Sequence, residues 1–337
     1  VTNTDLNASN SFSTSLIDDA LSYVYPAALR TAALLGIADY LATGPLSVAE
    51  LAHSTNVRAE SLYRILRVLA TKGVFTENQP GVFAMTPQAE GLSKNSRIKQ
   101  GVLFFTEHLK WRAVGEIHHA VANGEPSFNK LFGTGFWEYA AANPEDNDAF
   151  NRGMAALTEL ETAIVVDNYI WPETGTIIDL AGGHGGLLLA VLQVSPGLRG
   201  VLFDREHVLA EHVLDVPDIA GRWETRDGDF FAEVPSGDVY LIKNILHDWS
   251  DDESVRILQN CANAANPGAR VLAIDAAIPR GNEHNSGKLL DLIMLAMLTG
   301  RERTTDEVAA LFVAAGLRVT KTIPVPGTTL TLLEGQA

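Results

Sequence analysis

Five residues in the C-terminal half of this chain share a chemical logic. Asp179, Asp204, Asp229, His247 and Asp275 each end, or closely follow, a short apolar run. The runs TGTIIDL, RGVLFD, GDVYLIKNIL and ARVLAID are rich in Val, Ile and Leu, and DGDFF closes a weaker one. Helix-length stretches separate them, the pattern of parallel strands buried on both faces and joined by crossover helices. Ligands of such sheets bind outside the carboxyl ends of the strands, so the five polar groups converge on one rim. The 28 residues from His247 to Asp275 amount to one helix plus one strand, which puts the two on adjacent strands.

The stretch DLAGGHGG, residues 179–186, falls at the first strand-to-helix turn of this sheet. Ala181, Gly182, Gly183 and Gly185 make a turn that a ligand can approach closely, and the next helix opens with free N–H groups. Asp204 follows Asp179 by 25 residues and is placed to accept hydrogen bonds from ribose hydroxyls. A nicotinamide dinucleotide and S-adenosylmethionine both carry that ribose. The fingerprint G-x-G-x-x-G/A fails from Gly183, because its last position is Leu188. Asp179 and Asp229 favour the second ligand, whose sulfonium and amino group are cationic; a pyrophosphate would be repelled.

The elements that hold these groups belong to a chain of 337 residues, 46% hydrophobic, long enough for two domains. Its formal charge is −16, yet residues 1–100 hold eight basic and eight acidic residues, so the acidic excess lies downstream. That balance disfavours phosphate backbones and anionic membranes. A single cysteine, Cys261, excludes an internal disulfide, and no apolar run approaches a membrane span, so a cytoplasmic protein is expected. Residues 1–14 are polar and aperiodic, and a flexible tail is expected there.

Residues 15–100 read as a winged helix. Residues 16–42 carry more apolar side chains than one helix face can bury locally, which implies a partner subunit. Ser47 and Glu50 have capping-box spacing, and Leu62, Ile65, Leu66 and Leu69 recur at helical intervals before Gly73. VFTENQPGVFAMT then reads as a hairpin. Arg58, Arg64, Arg67 and Lys72 could face DNA, but the acidic whole favours dimerisation over nucleic-acid binding. Residues 101–170 read as a helical connector, with a helix start in NPEDNDAF, and 171–337 as the sheet domain.

Together DLAGGHGG, VLFD, DGDFF, LIKNILHDWSDDESVRILQNC and DLIMLAMLTGRERTTDEVAALFVAAGL resemble the S-adenosylmethionine-dependent O-methyltransferases of the caffeic-acid type, over residues 15–335. LHDW followed at a distance by GRERT is the specific part. The resemblance implies an α/β fold: a Rossmann-like class I methyltransferase sheet with an N-terminal, mainly helical winged-helix dimerisation domain, forming a homodimer. It implies that Asp179 and the loop at Ala181, Gly182, Gly183 and Gly185 cradle the methionine moiety. Asp204 would hold the ribose, Asp229 and Phe230 would flank the adenine, Arg205 would belong to the cofactor site, and Lys243 would help seat the cofactor. His247 becomes the general base, with Asp275 and Glu302 beside its imidazole. Phe150, Met154, Asp248, Met294 and Met297 would line the acceptor pocket. The family usually has glycine where this chain has Ala181, and often glutamate where it has Asp275. Bacterial members act on aromatic polyketides and phenazines.

Each assignment has a plainer competitor. His247 also precedes a helix capped by Ser250 and Glu253, Asp275 could merely turn the chain, and Glu302 could form a surface ion pair beside Arg301 and Arg303. Methionines on apolar helical stripes are commonly core. His118–His119 and His207/His212 lack a ligand cluster, so no metal is expected. Transfer of a methyl group to a phenol of pKa near ~10 suits an imidazole base with an ordinary pKa near ~6.5. The same sequence leaves open N-methylation or hydroxylation at a retained cofactor site, a nicotinamide dehydrogenase, and a ligand-sensing winged-helix regulator.

Overall fold

The computed structural model describes residues 15–337, and the expectation for residues 1–14 lies outside it. The chain divides into two compact units at Glu107/His108, beyond the boundary expected at residue 100. The helices from His108 to Asp167, expected as a connector, therefore group with the sheet.

In the first unit, β1 (Leu46–Ser47), β2 (Phe75–Gln79) and β3 (Val82–Met85) form a small sheet in the order β1-β3-β2. Ser47 and Glu50 make the reciprocal capping box that starts helix Val48–Thr55. Helix Ala59–Thr71 turns Leu62, Leu66 and Leu69 into a core shared with Ile37, Leu51 and Phe83. Gly73, at φ 75°, lets the chain turn into the hairpin β2–β3. Leu16, Ile17, Leu21, Tyr23 and Leu34 are all more than half exposed, the surplus of apolar surface expected from residues 16–42.

The second unit is built on seven strands: β4 (Gly175–Leu180), β5 (Leu198–Asp204), β6 (Trp223–Asp227), β7 (Gly237–Lys243), β8 (Ala265–Ala276), β9 (Arg318–Pro324) and β10 (Leu330–Gln336). Their order is β6-β5-β4-β7-β8-β10-β9. The first five in that order are parallel, and β10 runs antiparallel to both β8 and β9. Successive residues of a strand face opposite sides. Ile177 thus joins the cluster under helix Gly186–Val194, while Ile178 joins the one under helices Asp251–Ala264 and Thr305–Ala314. Strand order reverses between β4 and β7, which opens a crevice above their carboxyl ends. No helix among the described residues is long and apolar enough to cross a membrane.

Candidate active site

The glycine turn after β4 uses its residues for different physical reasons. A Cβ on Gly182 would lie 2.6 Å from Leu202 Cδ1 and overlap the Asp179 carboxyl, so only glycine fits between them. Gly183, at φ 59°, faces open space where its Cβ would be, and its N–H donates to Asp204 Oδ2 at 2.9 Å. Gly185, at φ 80°, caps helix Gly186–Val194. Ala181 has φ 53°, a left-handed conformation costing a non-glycine residue about 1–2 kcal/mol. The glycine usual in the family has its explanation there.

Asp179 lies beneath this turn, 2% exposed. Burial and the neighbouring Asp204 carboxylate push its pKa up to about 7, and its Oδ2 has no hydrogen-bond partner. Asp204 Oδ1 accepts the Arg205 N–H at 2.7 Å, and each Asp204 oxygen retains a second lone pair. The Arg205 guanidinium reaches Asp229 at 3.2 Å, and Asp229 Oδ1 accepts the Phe231 N–H at 2.8 Å. Phe230 meets Trp249 edge-on at a centroid distance of 5.9 Å. A buried carboxylate with one oxygen unpartnered, open space above Gly183 and an accepting Asp204 fit a ribose-bearing cation.

His247 sits in the short 3₁₀ turn Leu246–Asp248 that follows β7. Its Nδ1 lies 2.9 Å from Glu302 Oε1, and its Nε2 lies 3.4 Å from Asp248 Oδ1. Asp275 is also near, on β8, but both its oxygens are buried without a hydrogen-bond partner; it acts on the imidazole through charge alone. Burial opposes the charged ring, yet Asp248, Glu302 and Asp275 outweigh it and raise His247 to about 10. The ordinary value near ~6.5 used for the sequence is thereby corrected, because three carboxylates crowd one imidazole. Burial in turn raises Asp248 to about 7 and Asp275 to about 6.

Segment 300–304, the GRERT run, braces this turn. The Glu302 N–H donates to Asp291 Oδ1 at 2.9 Å, which fixes Glu302 from behind. Gly300 is buried, and a Cβ there would come closer than 3.0 Å to the backbone of His247, Asp248 and Trp249. Capping boxes at Ser250/Glu253 and Thr304/Glu307 start the two helices that follow. Arg301 bonds Glu307 at 2.8 Å and Asp251 at 3.1 Å.

Lys243 ends β7 with its side chain 5% exposed and its Nζ 2.7 Å from Glu161 Oε2. Glu161 belongs to the long helix Pro144–Asp167, which starts with Pro144 in its first turn and carries Phe150 and Met154. Phe150 packs against Phe136 and Trp137, at centroid distances of 5.1 and 5.7 Å. Trp137 in turn stacks on Trp249 at 6.3 Å. Met154 and Met294 are half-buried; Met297, 4% exposed, lies inside the apolar cluster of Phe128 and Phe136. Glu161, Asp291 and Gly300 were not singled out from sequence. Only the GRERT run offered a signal for one of them, since its glycine is followed within three residues by Glu302 and Arg303, both partners of the His247 turn.

The O-methyltransferase domain model matches residues 114–318, and the O-methyltransferase dimerisation domain model matches residues 17–95. The chain is 40% identical over 315 residues to the phenazine O-methyltransferase PhzM of Lysobacter antibioticus, covering 92% of each protein. It is similar to the solved structure of CalO1, a methyltransferase in calicheamicin biosynthesis in its SAH-bound form, with TM-score 0.88 and 41% identity over 96% of this chain and 98% of that one. It is also 31% identical over 321 residues to the aclacinomycin 10-hydroxylase RdmB of Streptomyces purpurascens, covering 90% of this chain and 83% of that protein. Joined to the strand-end crevice and the His247–Glu302 pair, these matches place the chain plainly: it belongs to the O-methyltransferase family.

Proposed function

We propose that this protein transfers the methyl group of S-adenosylmethionine to a phenolic hydroxyl of a planar aromatic metabolite, a phenazine or an aromatic polyketide, with His247 as general base. The second product is S-adenosylhomocysteine. The observation that carries the reading is the buried His247–Glu302 contact of 2.9 Å on the rim that also holds the glycine turn and Asp204. When bound, the sulfonium cofactor supplies an electrophilic methyl group. Asp204 would accept hydrogen bonds from the ribose hydroxyls, Asp229 and Phe230 would flank the adenine, and Arg205 and Lys243 would help hold the cofactor. The Asp179 charge beneath the turn favours a cation over a pyrophosphate.

His247 Nε2 takes the phenolic proton, while Glu302 on Nδ1 fixes the ring and stabilises the imidazolium that forms. With its pKa raised to about 10, the imidazole accepts that proton only in the fraction of molecules where it is neutral, so turnover is expected to climb with pH up to about 10. General-base help contributes about 10²–10⁴ in rate, whereas alignment of the reacting atoms contributes ~7–11 kcal/mol. Asp248, beside Nε2, is placed to accept from the incoming hydroxyl. Phe150, Met154 and Met294 supply the flat, adaptable acceptor wall, with Met297 packed behind it. The exposed apolar side chains of the first unit pair two copies into a homodimer.

The test is incubation with labelled S-adenosylmethionine and a panel of phenazines, anthracyclines and flavonoids, followed by product mass. An aryl methyl ether supports the reading. A product heavier by one oxygen favours hydroxylation, the reaction in RdmB's name. His247→Ala should lower turnover and leave S-adenosylhomocysteine affinity unchanged; full activity in that variant rejects the assigned base.

A further inference from the structure

The reaction described above leaves a buried cation next to the His247 turn without a task. Arg303 is 3% exposed. Its Nη1 donates to the Leu246 carbonyl at 2.7 Å and its Nη2 to the Trp249 carbonyl at 2.8 Å. Its Nε donates to Asp251 Oδ1 at 2.8 Å. Leu246 and Trp249 are the residues on either side of the pair His247–Asp248. The backbone of Arg303 is held as well: its carbonyl accepts the Ile278 N–H at 3.0 Å, and it forms a parallel bridge with Ala277, just past Asp275.

We propose that Arg303 is a positioning residue for methyl transfer: its guanidinium grips the carbonyls on both sides of His247 and so fixes where the imidazole stands relative to the exit of β8. The proposal rests on His247 being the base. The chemistry explains the residue type. A guanidinium is planar and offers donors in a rigid fork, so it can hold two carbonyls and a carboxylate at once; an ammonium is a point charge on a flexible stem. A turn of four residues held at both ends by one rigid group keeps the His247 backbone in register with the exit of β8, while Glu302 holds the ring itself. Arg303 also supplies charge. The charged groups that act on the imidazole are Asp248 on its own turn, Asp275 on β8 and Glu302 on segment 300–304; Arg303 acts on Asp275. Asp291, on helix Ser286–Met297, lies behind Glu302. Arg303 and Lys243, the latter at the end of β7, are the cations that act on this cluster through Asp275.

Arg303→Lys and Arg303→Met, each made alone and with His247→Ala, separate positioning from mere support. The readouts are kcat, KM for the acceptor, S-adenosylhomocysteine affinity by calorimetry and the pH dependence of kcat. Arg303→Lys is expected to lower kcat about 10- to 100-fold with cofactor-product affinity and acceptor KM within about twofold, and to leave the rising limb of the pH profile in place because the charge stays. Arg303→Met is expected to move that limb to higher pH, because the carboxylates then hold the imidazole proton more tightly. In the His247→Ala background neither substitution should lower the residual rate further. Wild-type kcat in Arg303→Lys, beside an impaired His247→Ala, overturns the proposal and leaves the base assignment standing. Full activity in His247→Ala overturns that assignment instead. Losses that only track cofactor-product affinity, or that persist undiminished in the His247→Ala background, reduce Arg303 to a structural support and also overturn the proposal.

Discussion

Replacing Gly300 by Ala should separate catalysis from cofactor binding. The added methyl would come closer than 3.0 Å to the His247 oxygen, the Asp248 carbonyl carbon and the Trp249 nitrogen, all backbone atoms that cannot swing aside. Carbon atoms settle about 3.5–4.0 Å apart, so the turn carrying His247, or the segment carrying Glu302, must retreat by roughly 1 Å. A displacement of that size at a reacting group costs about 10²-fold in rate, equivalent to about 2.7 kcal/mol. The fold should lose about 1–3 kcal/mol to overpacking. The glycine turn at 181–185 lies on another strand end, so S-adenosylhomocysteine should bind as before. Stopped assays of methylated product give kcat, calorimetry gives the affinity, and thermal unfolding gives the stability. Wild-type turnover in a folded Gly300→Ala variant would refute the reasoning, as would a loss explained wholly by weaker cofactor binding.

Ala181→Gly relieves about 1–2 kcal/mol of left-handed strain and adds ~0.4–1 kcal/mol of unfolded-chain entropy; a small gain in denaturation midpoint is expected, Ala181→Val should do the opposite, and a destabilised glycine variant contradicts the strain. The His247 imidazole, followed by NMR, should stay protonated beyond pH 8, and Glu302→Gln should bring its titration down toward the ordinary value. Its raised pKa lends stability that is complete below about pH 6.5 and is lost as pH rises toward 10; an ordinary titration in the wild type would dismiss the carboxylate cage. Asp275 shifts from 3.8 to about 6, so its ionisation costs the folded state about 3 kcal/mol. That cost grows between about pH 4 and 6 and is constant above. Asp275→Asn should therefore be more stable than wild type at pH 8 and indistinguishable at pH 4 in urea unfolding; equal stability at pH 8 would count against it.

The strand ends were legible because parallel strands buried on both faces leave uninterrupted apolar runs, and the polar residue closing each run has only the rim to occupy. Asp179, Asp204, His247 and Asp275 could thus be grouped before any coordinates. β9 and β10 went unread: β9 is an edge strand with several exposed positions, which dilutes its apolar signal. The Lys243–Glu161 pair spans 82 residues, and no local pattern marks its carboxylate among the others of a polar helix face. The division of labour around His247 was also hidden. Spacing places Asp275 on the neighbouring strand, but whether its short side chain bonds the ring depends on fractions of an ångström. Glu302, on an irregular segment, is the residue that does. Gly300 needs glycine because of a backbone crossing that chain order does not reveal.

The groups assigned to proton handling all come from residues 243–303, whereas Phe150 and Met154 ride on a helix moored to that machinery through Glu161 and Lys243. On the proposed reading the acceptor wall is thus shared: one part rides on helix Pro144–Asp167, the other, Met294, on helix Ser286–Met297 within the proton-handling stretch. Exchanging residues 144–158 between family members would graft a new aromatic appetite onto an untouched base, and keeping Glu161 would preserve the hinge pin that sets the graft in register.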